Sequence, residues 1–197
     1  MTQTLIAAIE GPGAPFMYAI ALALALGLAV GIERVWLLWF RWNLDEDAIL
    51  QRMTDQGPDD LKEVVGHTPL ASIVESGMQA QSADQAWDVM GSAAVLVEAR
   101  VRDKIATLMM VGNVATMLGL LGTVYGLIMA FSGLDDASAV ERSARLSEGI
   151  ATAMATTAWG LLVGIPAIVG HSFIDRRARQ TLAFYEAVAG RIAAGKR

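Results

Sequence analysis

The residues of this chain best placed to do chemistry are hydroxyls set in charge-free surroundings. Thr116, Thr123, Thr152, Thr156 and Thr157 all stand in two long stretches without Asp, Glu, Lys or Arg, where the titratable side chains are Tyr125 and, near the end of the second stretch, His171. A proton path through a membrane ordinarily uses carboxylates or histidines as stopping places. If the chain handles ions, a carboxylate must come from another chain, with threonine hydroxyls lining its surroundings. Enzyme chemistry has little to draw on. There is no cysteine, the two histidines have no metal-ligand spacing, and the stretches hold no carboxylate. Neither an enzyme nor a bound cofactor is expected.

The spacing around these hydroxyls is helical. Gly119, Thr123, Gly126 and Ala130 recur at intervals of four, three and four and share one face, with Thr116 above them. Gly149, Ala153, Thr157, Gly160 and Gly164 form a second small-residue stripe. In lipid, helices associate through close backbone approach at Gly, Ala and Thr. The stripes read as helix packing; neither spacing nor composition shows a pore.

The elements that carry these stripes are apolar spans. The chain has 197 residues, 54% apolar and 18% charged, with net charge −5 and mean hydropathy +0.45. Soluble domains run nearer a quarter charged, disordered chains are poor in apolar residues, and the acidic balance argues against a nucleic-acid partner. Windows of 22, 30 and 26 uncharged residues lie between Glu10 and Glu33, Lys104 and Asp135, and Glu148 and Asp175. A membrane helix needs about 20 apolar residues, so three transmembrane helices are expected. The first is an anchor, since residues 1–15 lack the Lys and Arg of a signal peptide. Basic residues gather after the first span (Arg41, Arg52, Lys62, Arg100, Arg102, Lys104) and in the tail (Arg176, Arg177, Arg179, Arg191, Lys196, Arg197). The positive-inside rule then puts the amino terminus outside and the carboxyl terminus in the cytoplasm.

The expected fold is an all-α polytopic membrane protein with long cytoplasmic helical extensions. It divides into a periplasmic N-terminus (1–14), a first transmembrane helix (15–40), a cytoplasmic helical region (41–106), a second span (107–131), a periplasmic link (132–148), a third span (149–174) and a basic cytoplasmic tail (175–197). Gly57-Pro58 and Pro69 mark breaks. Ser82 followed by Gln85 fits a capping box. From there Trp87, Met90, Ala94, Val97, Val101, Ile105 and Leu108 form one helical stripe that runs into the second span. An uninterrupted helix from 83 to 131 would be about 70 Å long. Its stripe reads as packing against other cytoplasmic helices, with a binding face for a soluble partner as the alternative. Leu182, Tyr185, Ala189 and Ile192 continue the third span as one face of the tail, whose arginines suit anionic lipid headgroups. Glu33 and Arg34 form an interfacial pair rather than a relay.

Three segments carry a family resemblance. MLGLLGTVYGLIMAF at 117–131 resembles the second-span signature of the MotA/TolQ/ExbB proton-channel family, and SEGIATAMATTAWGLLVGIPAI at 147–168 resembles its third-span pattern. GIERVWLL at 31–38 is similar to the glutamate-arginine pair that ends its first span. Three spans resemble ExbB and TolQ more than the four-span flagellar stator subunit.

The resemblance implies a bacterial inner-membrane subunit that forms a pentamer around two copies of a single-span partner of the ExbD/TolR/MotB type. The partner's transmembrane aspartate carries the ion, a proton by resemblance and sodium as the alternative. Flow rotates the pentamer and drives an envelope machine for import, Tol-type constriction or gliding. The family's polar threonines map onto Thr123 and Thr157, which would face that aspartate; the competing reading is a hydroxyl bonded back to its own helix. Thr116 joins them, and Gly126 and Gly160 are expected to give the rotating partner a smooth wall. Thr156 is a packing residue. Thr152 is the sixth candidate on the ion pathway; it stands where family members commonly carry a glutamate, so that acid's role does not carry over, and His171-Ser172-Phe173 replaces a usual tyrosine-asparagine pair. The alternative function is a non-conducting oligomeric scaffold that anchors an envelope complex.

Overall fold

The computed structural model describes residues 13–55, 61–132 and 138–195. Helix α1 (Ala14–Trp36) runs into a π-helical stretch (Leu37–Arg41) and is followed by α2 (Glu46–Asp55), α3 (Leu61–Val65), α4 (Leu70–Gln79), α5 (Ala83–Arg102), α6 (Ile105–Ser132) and α7 (Ala139–Ala194). Among the described residues there is no strand. The stretches Ala14–Arg41, Ala83–Ser132 and Ala139–Ala194 are long and apolar enough to cross a membrane. The described residues form an all-helical, multi-pass membrane protein. Residues 1–12, the Gly57-Pro58 turn, residues 133–137 of the expected link and the last two of the tail lie outside the described residues.

The chain forms two compact units. The first comprises residues 1–31 and 106–171 and holds most of α1, α6 and the first part of α7. Its core is Ile20 and Ala23 of α1, Val111 and Ala115 of α6 and Val163 of α7, with Leu118 and Trp159 packed against them. The ring of Phe16 meets that of Tyr125 at a centroid distance of 5.4 Å. The outside of this unit is equally apolar, with Leu22, Leu28, Leu120, Ile128 and Leu162 all exposed. Helices apolar on every side belong in lipid.

The second unit comprises residues 32–105 and 172–197. Its helices are amphipathic and bury one face each: Ile49 of α2, Leu61 and Val65 of α3, Ile73 and Val74 of α4, Met90, Val97 and Val101 of α5, and Tyr185, Val188 and Ile192 of α7. This is the pattern of a water-soluble bundle. Pro69 precedes α4, where a missing N–H and a fixed φ suit a helix start. Ser82 caps α5 by accepting from the Gln85 amide at 3.3 Å, while the Gln85 side chain takes the Gln81 N–H at 2.9 Å. In the α5–α6 stripe, Met90, Val97, Val101, Ile105 and Leu108 are buried, whereas Trp87 is half exposed.

One expectation about helix limits needs correction. The helix expected to run unbroken from 83 to 131 is interrupted at Asp103-Lys104. Asp103 is extended (φ −50°, ψ 142°), Lys104 has φ 58°, and the Ile105 N–H turns back to the Asp103 carbonyl at 2.8 Å. A left-handed non-glycine residue costs about 1–2 kcal/mol, and the groups that hold it come from Glu33 and Arg34. Neither is visible in the local pattern. At the other end, α7 begins at Ala139, so the described part of the expected link from there to 148 is helical, and the helix continues without interruption through the tail to Ala194. Ser138 and Glu141 make a reciprocal cap there. The Ser138 N–H and hydroxyl donate to Glu141 Oε2 at 2.9 and 2.8 Å, and the Glu141 N–H returns to Ser138 Oγ at 3.4 Å.

Candidate functional site

The two small-residue stripes face each other. A Cβ placed on Gly119 would lie 2.9 Å from the Thr156 carbonyl and 3.0 Å from the Gly160 Cα; one on Gly160 would lie 2.7 Å from the Ala115 carbonyl. At Gly126 an added Cβ would lie 3.2 Å from Ala153 Cα, while Gly149 fits against Ala130 and Gly164 against Thr116. At Gly119 and Gly160 backbone meets backbone, and hydrogen in place of a side chain is what allows so close an approach. Gly112 and Gly122 take part too: a Cβ on Gly112 would sit 3.0 Å from the Gly164 carbonyl, and one on Gly122 2.7 Å from Thr156 Oγ1. The sequence reading passed over both, although Gly112, Gly119 and Gly126 recur every seven residues, which is a packing period in its own right.

The hydroxyls sort by their distance from this seam. Thr156 is fully buried in it, donating to the Ala153 carbonyl at 2.8 Å and lying 3.5 Å from that of Gly119. It is a packing residue, as expected. Thr157 reaches across the seam and donates to the Gly119 carbonyl at 3.1 Å. Thr116 donates to the Gly112 carbonyl at 3.0 Å and Thr123 to the Leu120 carbonyl at 2.6 Å, each within its own helix. For Thr123, the back-bonded geometry weighed from sequence is the one present.

Three of the six candidates are brought to one flank. Val111, Ala115 and Leu118, which pack toward α1, lie on one side of the Gly112–Gly119–Gly126 line; Thr116 and Thr123 fall on the other. On α7, Thr157 lies similarly opposite Trp159 and Val163. Thr116, Thr123 and Thr157 are all partly exposed there, beside exposed Leu120, Met154 and Leu161. Thr152 is 8% exposed and lies on the α1 side of α7, apart from the other three. Gly126 and Gly160 are buried in the seam itself, where they serve the contact between α6 and α7.

The flank has no fixed charge. Each of its three hydroxyl hydrogens is already given to a backbone carbonyl, so what it presents outward is oxygen lone pairs. Such a surface accepts a hydrogen bond from a protonated carboxyl, or faces a cation, without reorganising.

The sequence model of the MotA/TolQ/ExbB proton channel family matches residues 65–187. The chain belongs to this family. Among its relatives is the biopolymer transport protein exbB1 of Vibrio cholerae, 39% identical over 79 residues, which is 40% of this chain and 35% of that protein. An ExbB-like 1 biopolymer transport protein of Synechocystis is 27% identical over 186 residues, 89% of this chain and 73% of the relative. The Tol-Pal system protein TolQ of Pseudomonas aeruginosa is 34% identical over 77 residues, 38% of this chain and 32% of TolQ. This MotA/TolQ/ExbB-family chain thus spans about a third of the Vibrio and Pseudomonas relatives and nearly three quarters of the Synechocystis one. The matched region contains the Gly112–Gly164 seam and all six candidate residues.

Proposed function

We propose that this chain is the ion-conducting subunit of a rotary motor in the bacterial inner membrane. In this reading the amino terminus faces the periplasm, and the second unit and the carboxyl terminus lie in the cytoplasm. Five copies surround a dimer of a single-span partner whose transmembrane aspartate carries a proton past the Thr116–Thr123–Thr157 flank. The motor delivers its work to an envelope machine of the import, Tol or gliding class. Membership of the proton channel family and the names of its relatives, which speak of biopolymer transport and the Tol-Pal system, support the reading.

The observation that carries it is the pairing of an uncharged span with a flank of lone-pair-bearing hydroxyls. An aspartate crossing apolar surroundings is far cheaper to move protonated than ionised. In the protonated form it has an O–H to donate, and the threonine oxygens accept it. The energy scale is sufficient, since one charge moving through 100 mV releases about 2.3 kcal/mol. A sodium ion would be held by the same oxygens, so dependence of flux on pH or on sodium decides between the two.

The test is purification of the full chain from its native membrane followed by native mass spectrometry. A complex of five copies with two of a single-span protein bearing a membrane aspartate supports the proposal. A homo-oligomer that never carries such a partner supports a non-conducting scaffold instead.

A further inference from the structure

The break at Asp103-Lys104 has no local cause. Residues 97–110 (VEARVRDKIATLMM) contain no Gly, Pro or Asn, and most are good helix formers. Left to itself this stretch favours one continuous helix. Yet Lys104 sits at φ 58°, and the Ile105 N–H is tied to a carbonyl two residues back instead of four. A turn of this kind around a residue with positive φ is rare and strained.

What holds it is a pair of crossed contacts from the end of α1. Lys104 Nζ lies 2.9 and 3.1 Å from the two carboxylate oxygens of Glu33. The Arg34 guanidinium, whose side chain is only 4% exposed, donates to Asp103 Oδ2 at 3.0 Å and to the Arg100 carbonyl at 3.4 Å. Glu33 and Arg34 themselves are 3.8 Å apart, so the interfacial pair read from the sequence is present but each member has a nearer partner. Arg34 thereby satisfies one of the carbonyls that the break leaves open at the end of α5, at the negative pole of that helix.

We propose that Asp103-Lys104 is a clamped joint: a helix-forming segment held in a broken, left-handed state by Glu33 on Lys104 and Arg34 on Asp103, which closes into helix when the clamp is released. In the broken state the first amide of α6, the Ile105 N–H, bonds the Asp103 carbonyl rather than one four residues back. In the closed state the Ile105 N–H bonds the Val101 carbonyl and its neighbours follow in register. Two alternatives within a single backbone segment, selected by contacts from another helix, make a switch.

Hydrogen exchange of the full chain in lipid nanodiscs, read at the amides of residues 104–107, tests this. Lys104→Ala and Glu33→Gln should slow exchange there by at least about tenfold, while Lys104→Gly, which keeps the left-handed state easy, should not slow it. Glu33→Lys should slow it too, and adding Lys104→Glu should restore the original rate by rebuilding the pair with reversed charges. Unchanged or faster exchange at 104–107 in both Lys104→Ala and Glu33→Gln, with Ile73 and Val74 still protected, overturns the proposal. If the single variants lose protection at Ile73 and Val74, the charge-reversed pair decides: restored wild-type exchange supports the clamp, and failure to restore it overturns the clamp.

Discussion

Thr157 donates its hydroxyl hydrogen to the carbonyl of Gly119 on the facing helix, at 3.1 Å. Thr156 Oγ1 lies 3.5 Å from the same carbonyl. The same threonine stands at the edge of the hydroxyl flank, so one residue both ties α6 to α7 and faces outward.

Thr157→Val keeps the shape and removes this bond. Polar contacts between membrane helices are worth about 0.6–2 kcal/mol, so a loss of about 1 kcal/mol is expected, with Thr157→Ser losing less. Thermal unfolding in nanodiscs measures it. Equal stability of Thr157→Val and wild type would mean the bond contributes nothing.

Gly119→Leu and Gly160→Leu should separate the helix pair, because even a Cβ at these positions meets backbone atoms at 2.9 and 2.7 Å. The sequence reading gave Gly126 and Gly160 a smooth wall for a rotating partner, a role in which leucine at either position cripples function while assembly survives. The seam gives the opposite expectation: loss of the folded subunit, seen as aggregation in size-exclusion chromatography. Gly91→Ala is the control. A Cβ there meets nothing within 4 Å, and its helix should gain about 0.5–1 kcal/mol. Well-folded Gly160→Leu protein would return that glycine to an exposed role.

The start of α7 should depend on pH through Glu141. The Ser138 hydroxyl, and next its backbone N–H, hold the Glu141 carboxyl below its ordinary value of 4.5. A lowered acid stabilises the folded form above the unfolded pKa and ceases to do so as pH falls through the folded one. The amides of residues 139–142 should therefore exchange faster, relative to the intrinsic rate, as pH falls below the ordinary carboxylate value and through the lowered one. Glu141→Ala should show the faster exchange at neutral pH and little further change on acidification. A cap insensitive to pH in the wild-type chain would contradict this.

The seam was legible because small residues at helical spacing leave few alternatives in lipid. Gly119, Gly126, Ala130, Gly149, Ala153, Gly160 and Gly164 all lie where the stripes placed them. The side each hydroxyl takes was not legible, since it depends on where α1 packs, through Ile20 and Ala23. The helix break was hidden for a related reason: Lys104 is held by Glu33, 71 positions away. The early start of α7 was present as Ser138-x-x-Glu141 but masked by the charges around it, which read as a link. Local signals specified local structure, and long-range contacts decided the rest.

Thr123 separates transport from stability. Its hydroxyl bonds only to its own helix, at the Leu120 carbonyl, so Thr123→Val should change unfolding by less than about 0.5 kcal/mol. Its loss should nevertheless be felt by an ion carrier passing the flank.

Ion flux in proteoliposomes under an imposed membrane potential measures this most directly. The chain with its single-span partner should conduct; the chain alone, or with the partner's aspartate changed to asparagine, should not. Thr123→Val with the intact partner should fall well below wild type. Full-rate flux through this chain in the absence of any partner would show that it holds its own ion carrier, and the borrowed acid would have to be abandoned.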